Sequence, residues 1–478
     1  MVVLVILLDV KPTVVSKLPF PFIGIFKLAS LLFYPLRSQT VNGFSLTSQN
    51  RRRVDLYCGN KYHRITMETN LKHRKAAVSL RLLAENGLPA SNQELKISQK
   101  KHKFLFGCGG FEALGLVGGK PDGNPIDEKT ATFIRTRLDK LFSVNNYATL
   151  PFYIGRYEPE EGKPDEKRLK AAANYYKQRG IKTKGHPLCW HTVCAPWLMN
   201  YSNEQILKKV IGRIERDVSA FAGLIDTWDV INEVVIMPVF DKYDNAVTRI
   251  CKEYGQIPLV KEVFSAAKRA NPNSVLLLND FDISEDYEIL IDKCLQAGIP
   301  IDVIGIQSHQ HQGYWGAEKV HDVLSRFSRF GLPLHFTENT IISGEIMPAH
   351  IVDLNDWQVD TWPTTPEGEE RQAKEIIDMY EILFAHPQVE AVTSWSGGDN
   401  AWLHAPAGFL RTDNSEKPAF KALRAKIENE WRTETTARSD ANGYVQLEGF
   451  KGTYEVSCMG KTAVFELDKD TSVELKLN

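Results

Sequence analysis

Residues 76–99 alternate apolar and polar side chains, which is the period-two pattern of half-buried β-strands. The apolar positions lie on both sides of a turn sequence, Glu85-Asn86-Gly87. They are Val78, Leu80, Leu82, Leu95 and Ile97. Two alternating runs joined by a turn that contains Asn-Gly are typical of a β-hairpin. We therefore predict that the segment 67–103 folds as an N-terminal β-hairpin.

The end of the chain shows the same alternation. Asn442-Gly443 precedes a run that carries Val445 and Leu447, and three further alternating runs follow it. Several short strands in succession, each bounded by turn residues, favour two small packed sheets. This pattern predicts a small β-sandwich over residues 434–478, and the pattern leaves open whether the N-terminal strands pack with it.

Between these segments the pattern changes to a repeat of helix, glycine and apolar strand. Gly180, Gly298 and Gly331 each follow a helical stretch and precede a short apolar run, as expected for glycines that end helices. The short apolar runs lie near 104–107, 143–148, 181–184, 225–231, 274–279, 302–307, 333–337 and 390–395. Eight strands with helices between them indicate an α/β fold, a closed (β/α)8 TIM barrel over residues 104–428.

Residues 1–66 form a leader whose role the composition alone does not identify. Asp9 and Lys27 interrupt its apolar runs, so it fits neither a clean secretory signal nor a membrane-spanning helix. One interpretation is a poor signal peptide, and the other is that translation begins at Met67 with non-native sequence upstream. We expect a secreted or periplasmic protein rather than a cytoplasmic one, and no association with a membrane.

Composition and charge narrow the possible partners. The chain of 478 residues has 58 basic and 59 acidic side chains and a formal net charge of −1, which gives no reason to expect a nucleic-acid partner. The 7 cysteines are scattered, so free thiols are expected rather than a disulfide scaffold. No cofactor fingerprint is visible, and we predict neither a cofactor nor a metal; His311, near His309, is interpreted as structural. The sequence does not indicate an oligomeric state.

Polar and aromatic residues follow the predicted barrel strands at the ends where active sites of such barrels lie. They occur in five sequences: Gly185-His186 to Trp190-His191, Asn232-Glu233, Gln307-Ser308-His309, Thr337-Glu338-Asn339 and Trp395. The glutamates belong to the fourth and seventh strands and are expected to face each other across the barrel. Hydrolysis of a glycosidic bond needs such a pair, and a close pair retains the anomeric configuration. The two must then differ in environment, so that one is protonated and the other ionised.

The same residues resemble those of glycoside hydrolase family 10, the family of endo-β-1,4-xylanases, over residues 104 to 428. Five motifs in order carry the resemblance, including Trp228-Asp229-Val230-Ile231-Asn232-Glu233 and Trp395 to Trp402. The resemblance implies that Glu233 is the acid/base and that Glu338 is the nucleophile. It also implies substrate-binding roles at the mouth of the barrel for His186, Trp190, Asn232, Gln307, His309, Trp395 and Trp402.

One departure from the family pattern concerns the second strand. Where the family carries Glu, Asn and Lys to hold sugar hydroxyls on the glycone side, this chain has Thr149, Leu150 and Tyr153, and we expect Tyr153 to contact sugar instead. A retaining endo-β-1,4-xylanase that acts on a plant polysaccharide is the best interpretation. The alternatives are a related glycosidase acting on another β-linked glycan and a non-catalytic carbohydrate-binding protein.

Overall fold

The structure, a computed structural model, describes residues 52–58, 61–67 and 71–477 and divides into two units. The first unit ends at Glu68 and contains two antiparallel strands, β1 (Arg52–Cys58) and β2 (Lys61–Met67). The remainder of the expected leader lies outside the described residues. Within the described ranges, we find no helix with the length and apolar character needed to cross a bilayer.

Strands and helices alternate along the second unit, which begins at Thr69. Its strands are β3 (Lys75–Leu83), β4 (Glu94–His102), β5 (Leu105–Gly109), β6 (Tyr147–Pro151), β7 (Lys182–His186), β8 (Thr227–Asn232), β9 (Val275–Asp280), β10 (Val303–Ile306), β11 (His309–Gln310), β12 (Leu334–Ile341), β13 (Val389–Ser394), β14 (Glu434–Arg438), β15 (Tyr444–Phe450), β16 (Gly452–Cys458), β17 (Lys461–Leu467) and β18 (Thr471–Lys476). Its α-helices are α1 (Ala113–Gly118), α2 (Glu128–Leu141), α3 (Ile154–Tyr157), α4 (Glu166–Gln178), α5 (Asn203–Ala220), α6 (Ala246–Tyr254), α7 (Gln256–Ala270), α8 (Glu285–Gln296), α9 (Gly316–Ser328), α10 (Pro366–Ala385) and α11 (Pro418–Asn429).

Eight parallel strands close into a barrel, which confirms the predicted fold. β5 to β10 pair in sequence, β10 pairs β12, β12 pairs β13, and β13 returns to β5. The predicted glycines end the helices before β7, β10 and β12, and Gly180, Gly298 and Gly331 have φ of 67°, 66° and 73°. Only a residue without a Cβ adopts this left-handed conformation at little cost, so each glycine turns the chain into the next strand.

The second barrel strand begins later than the sequence pattern predicts. β6 starts at Tyr147 rather than at residue 143. Asn146 is responsible, because its side chain accepts a hydrogen bond from Phe106 N (2.9 Å) and donates to the carbonyl oxygens of His102 and Phe104 (both 3.0 Å). This side chain ties the entrance of β6 to β5 and replaces ladder hydrogen bonds there.

A β-sandwich lies beside the barrel and contains strands from both ends of the second unit. One sheet has the order β14-β4-β16-β17 and the other has the order β15-β3-β18. The predicted N-terminal hairpin is wrong in its pairing. The turn forms, with Ala84 N bonded to Leu88 O (2.8 Å), but β3 and β4 then separate into different sheets. Both strands bury one face, and the sandwich core between the sheets receives one face from each.

Candidate active site

The carboxyl ends of the barrel strands bring the predicted residues to one mouth. β7 ends at His186, β8 at Asn232 and β9 at Asp280, while Gln307 directly follows β10 and Glu338 lies within β12. Parallel strands in a closed barrel present these ends on a single face. The structure therefore joins side chains that lie up to about 150 positions apart in the sequence.

Glu233 adopts a left-handed backbone conformation at the end of β8, with φ of 57°. Neighbouring residues of an extended strand point to opposite faces, so Asn232 and Glu233 would otherwise diverge. The turn at Glu233 brings them together, and Asn232 Nδ2 donates to Glu233 Oε1 over 3.1 Å. A non-glycine residue in this region carries backbone strain, which is most often found at functional sites.

Three N–H groups bind the Glu233 carboxyl. Gln307 Nε2 donates to Oε1 (3.0 Å) in addition to Asn232, and Trp190 Nε1 donates to Oε2 (2.8 Å). His191 Nε2 lies 4.0 Å from Oε2. All three bonded partners are donors and by themselves favour the ionised carboxyl, so a proton on Glu233 depends on its burial and on the acidic groups nearby.

Glu338 lies deeper in the mouth, and its side chain is 5% exposed against 13% for Glu233. Asn279 Nδ2 donates to its Oε1 (2.9 Å), and His309 Nε2 lies 3.3 Å from its Oε2. His186 Nδ1 lies 3.9 Å from Oε1. Its polar neighbours are therefore an amide donor and two imidazole rings, which favour the ionised carboxylate.

The two carboxyl groups have opposite pKa shifts. Burial raises the pKa of Glu233 to about 8, with the charges of Asp280 and Glu338 acting in the same direction and the bonds from Gln307 and Trp190 acting against it. Burial also acts to raise the pKa of Glu338, but His186, His309 and Lys184 outweigh it and hold that pKa below the usual range. At neutral pH the pair consists of one carboxylic acid and one carboxylate.

A buried ion pair supports the ionised glutamate from inside the barrel. Lys184 on β7 and Asp229 on β8 are fully buried, with Lys184 Nζ 2.6 Å from Asp229 Oδ2. His186 Nδ1 lies 2.7 Å from the same Asp229 oxygen. Asp229 thereby fixes the His186 ring, while Lys184 contributes positive charge near Glu338. Sequence analysis had given no role to either charge.

Asn279, near the end of β9, is a third residue for which the sequence had predicted no role. Its Nδ2 group donates to Glu338 Oε1 and also to Asn232 Oδ1 (2.8 Å). The Oδ1 atom of Asn279 accepts a hydrogen bond from Thr337 Oγ1 (2.6 Å). The side chain thus connects Glu338 with Asn232, the hydrogen-bond partner of Glu233. The signal was present, because Asn279-Asp280 ends the fifth strand in the same way that the recognised residues end theirs.

Aromatic rings form the walls of the mouth. Tyr153 lies with its ring centroid 5.5 Å from His186 and 5.6 Å from Trp190. Trp395 lies 5.2 Å from His186, and Trp402 lies 4.7 Å from His309. All eight side chains expected to bind substrate therefore lie around the two glutamates or in contact with their neighbours.

The three positions at the second barrel strand that depart from the family pattern differ in solvent exposure. Thr149 and Leu150 are fully buried within β6, whereas Tyr153 is half-buried at the rim. Phe111 contacts both Tyr153 (6.2 Å between ring centroids) and Trp395 (5.7 Å), so this side of the mouth is an aromatic wall.

His311 lies behind His309, with 5.9 Å between the ring centroids, and makes no ion pair with either carboxyl group among the described residues. It is buried, its Nδ1 lies 3.3 Å from Thr340 Oγ1, and its ring contacts Trp402 and Trp362. Burial lowers its pKa to about 3. These contacts support the structural interpretation of this residue. Among the described residues, no group of side chains is suited to hold a metal ion.

The fold and the site together define a class: a (β/α)8-barrel hydrolase in which two carboxyl groups of opposite protonation face one cleft. The family model of glycosyl hydrolase family 10 matches residues 152–426, which is more than half of the chain. The chain belongs to glycosyl hydrolase family 10.

Individual relatives agree with this assignment. The chain is 25% identical over 302 residues to an endo-1,4-beta-xylanase/feruloyl esterase of Xylanibacter ruminicola, covering 57% of this chain and 39% of that protein. It is 25% identical over 300 residues to endo-1,4-beta-xylanase C of Paenibacillus barcinonensis, covering 56% of this chain and 27% of that protein. The chain thus spans well under half the length of these two relatives.

A solved structure with the same fold is xylanase 10B of Thermotoga petrophila in complex with xylobiose. Its TM-score is 0.54 at 19% sequence identity, and the match covers 69% of this chain and 95% of that one. At this identity the similarity supports the barrel fold alone.

Proposed function

We propose that this chain hydrolyses β-1,4-xylosidic linkages within xylan and retains the anomeric configuration. The observation that carries the proposal is the pair of Glu233 and Glu338 in one aromatic-walled cleft with different surroundings. Neutral N–H donors bond Glu233, whereas Glu338 has Asn279 and two histidines beside it. The names of the relatives, which are xylanases, supply the substrate class.

The two glutamates would act in sequence. In the first step, a carboxylate oxygen of Glu338 bonds to the anomeric carbon, the bond to the leaving oxygen breaks, and Glu233 gives its proton to that oxygen. In the second step, a water molecule gives a proton to Glu233 and its oxygen bonds to the anomeric carbon, which releases Glu338. The raised pKa of Glu233 suits both roles, since it gives and takes a proton near neutral pH.

The neighbouring side chains would bind and orient the sugar. Asn232 is placed between Glu233 and Asn279 and suits the 2-hydroxyl, and Gln307, His186 and His309 offer further polar atoms. Trp190, Trp395, Trp402 and Tyr153 offer ring faces on which sugar rings stack. We further propose that the protein acts outside the cytoplasm, where a plant polysaccharide is accessible, without a nucleic-acid partner or a cofactor.

A panel of polysaccharides tests the substrate class. We expect the purified protein to shorten xylan into oligosaccharides and to leave β-glucan and mannan largely intact, with Glu338→Ala inactive on all of them. Hydrolysis of another β-glycan but not of xylan would make the protein a related glycosidase. Binding without any hydrolysis would identify a carbohydrate-binding protein instead.

Proton NMR of the earliest products tests the stereochemistry. Double displacement releases the β-anomer first, and the α-anomer appears only by mutarotation. An α-anomer as the first product would require a water molecule between the two carboxyl groups, and the retaining mechanism would be wrong.

A further inference from the structure

An exposed arginine lies at the aromatic wall of the mouth. Arg156 is three residues after Tyr153 in the short turn of helix α3, and residues with this spacing share one helix face. Its guanidinium carbon lies 5.9 Å from the centroid of the Tyr153 ring. The cation therefore extends over the ring that we expect to contact the substrate.

Tyr153 connects this arginine with the catalytic carboxyl groups. Its ring contacts the rings of His186 and Trp190, and His186 and Trp190 in turn lie beside Glu338 and Glu233. Burial raises the pKa of Tyr153, and the charges of Glu338 and Glu233 add to that rise. A sugar next to the cleaved linkage and in contact with Tyr153 would thus have Arg156 within reach of its substituents.

Arg156 differs from nearby arginines because its charge is not matched. Arg168 pairs with Asp165 (2.5 Å) and Arg216 pairs with Glu158 (2.7 Å). For Arg156, no carboxylate of the described residues lies within ion-pair distance. The adjacent acids are engaged elsewhere, because Glu160 pairs with Lys163 and Glu161 pairs with Lys209.

The surrounding wall offers few hydrogen bonds to a neutral sugar. Thr149 and Leu150 are buried inside the barrel, and Phe111 and Trp395 present hydrocarbon surface beside Tyr153. A plain xylose unit would gain mainly stacking contacts here. A sugar that carries a carboxylate would gain a charge-assisted, bidentate contact with the guanidinium as well.

We propose that Arg156 binds the carboxylate of a uronic acid substituent, so that the preferred substrate is an acidic, uronate-substituted xylan. This inference rests on the proposed function of the same site. In this proposal Arg156 selects the substrate and takes no part in the cleavage itself. Arg156 is therefore a specificity residue, and its loss leaves the two glutamates and their partners intact.

The test compares xylooligosaccharides of equal backbone length with and without one glucuronic acid substituent. A third substrate carries the methyl ester of the same uronic acid, which keeps the size and removes the charge. We expect kcat/KM for the charged substrate to exceed that for the ester by about tenfold, the size of one exposed charge-assisted contact. Added NaCl should reduce this preference, because salt screens exposed charges.

Arg156→Gln should abolish the preference and leave kcat/KM on the plain oligosaccharide unchanged, while Arg156→Lys should keep part of it. The matched control is Arg269→Gln, an exposed arginine in the last turn of α7, at the opposite end of the barrel, that pairs with Glu215. The control should behave like the wild type. Equal rates on charged and ester substrates, or a preference that survives in Arg156→Gln, would overturn the inference. Failure of the wild type to cleave any of the three substrates would instead refute the proposed function.

Discussion

The neighbours of Glu233 and Glu338 separate the protonation states of two identical side chains. Both are buried, and burial alone would raise both pKa values. Glu338 also has His186 and His309 beside it and the buried Lys184 behind it, and these neighbours hold its pKa below the usual range. Glu233 has only neutral donors in hydrogen-bond contact, together with the negative charges of Asp280 and Glu338. The proposed roles of Glu233 as acid and Glu338 as nucleophile rest on this difference.

The pH dependence of kcat/KM should reflect both groups. Glu233 must carry its proton to act as the acid, so activity should fall as pH rises through its pKa, which is about 8. Glu338 must be ionised, and because its pKa is lowered, the acid limb should lie below the usual range for glutamate. Initial rates from pH 3 to 10 at substrate concentrations well below KM measure both limbs. An alkaline limb near pH 5 would contradict the environment described for Glu233.

Replacement of Glu233 by alanine should stop turnover at the second step for substrates with good leaving groups. Such aryl glycosides need little protonation, so the glycosyl-enzyme should form and then persist because no base activates water. Azide needs no base, and we expect it to restore release and to give a β-glycosyl azide.

Glu338→Ala is the matched control for this experiment. It has lost the nucleophile, so azide can only displace the leaving group directly, and any product should be the α-glycosyl azide. Absence of azide product from a folded Glu233→Ala variant would remove Glu233 from the acid/base role.

Residues that end a strand within a recognisable motif were predictable from the sequence. Asn279 escaped because asparagine at a strand end is common, and only the folded barrel shows that it bonds both Glu338 and Asn232. Lys184 escaped for a related reason. Nothing in a single sequence indicates that a lysine two residues before His186 is fully buried and paired with an aspartate of the next strand.

At the scale of the elements, two left-handed residues determine how the strand ends present their side chains. Glu233 and Ser308 have φ of 57° and 58°. They directly follow Asn232 and Gln307, whose side chains both donate to the Glu233 carboxyl. The eight apolar runs were sufficient to predict the barrel strands, because a buried parallel strand is a short continuous apolar run. These backbone turns were not predictable, since neither residue type favours positive φ.

The pair of Lys184 on β7 and Asp229 on β8 predicts a linked effect on stability and activity. Lys184→Met would leave Asp229 buried without its cation, and we expect the free energy of unfolding to fall by about 3 kcal/mol. The same change removes positive charge near Glu338, so the acid limb of kcat/KM should move to higher pH.

Urea unfolding and a pH profile measure the two effects of Lys184→Met. Lys182→Met is the control, because Lys182 is exposed on the same strand and no such ion pair is expected to depend on it. An acid limb that stays in place while stability falls would show that Lys184 acts on the fold alone.

In the second unit, the sandwich pairs strands from the beginning of the unit with strands from its end. The C-terminal strands and the alternating pattern of β3 and β4 were predictable from the sequence, but the predicted pairing of β3 with β4 was wrong. Alternation specifies which face of a strand is buried and does not specify its partner. The structure shows that β3 pairs with β15 and β18 and that β4 pairs with β14 and β16, so each of the two sandwich sheets contains strands from both ends of the second unit.

The junction of sandwich and barrel is aromatic and hydrogen-bonded. Trp431 stacks on Phe384 at the end of α10, with 4.3 Å between ring centroids. Arg74, just before β3, donates to the carbonyl oxygens of Phe384 (2.8 Å), His386 and Val389 (both 2.6 Å). The sandwich is therefore fixed to the end of the barrel opposite the catalytic mouth, where β13 begins.

Removal of residues 434–478 should consequently destabilise the barrel, although no catalytic residue is lost. The deletion would expose the apolar faces of β3 and β4, including Val78, Leu80 and Ile97, which are buried in the intact sandwich. We expect most of the truncated protein to be insoluble and the soluble fraction to unfold at a lower temperature than the full chain. Tyr444→Ser, a change on the exposed face of β15, controls for surface effects and should leave the melting temperature within a few degrees. A truncated protein with full solubility, an unchanged melting temperature and wild-type kcat/KM would show that the barrel folds independently of the sandwich.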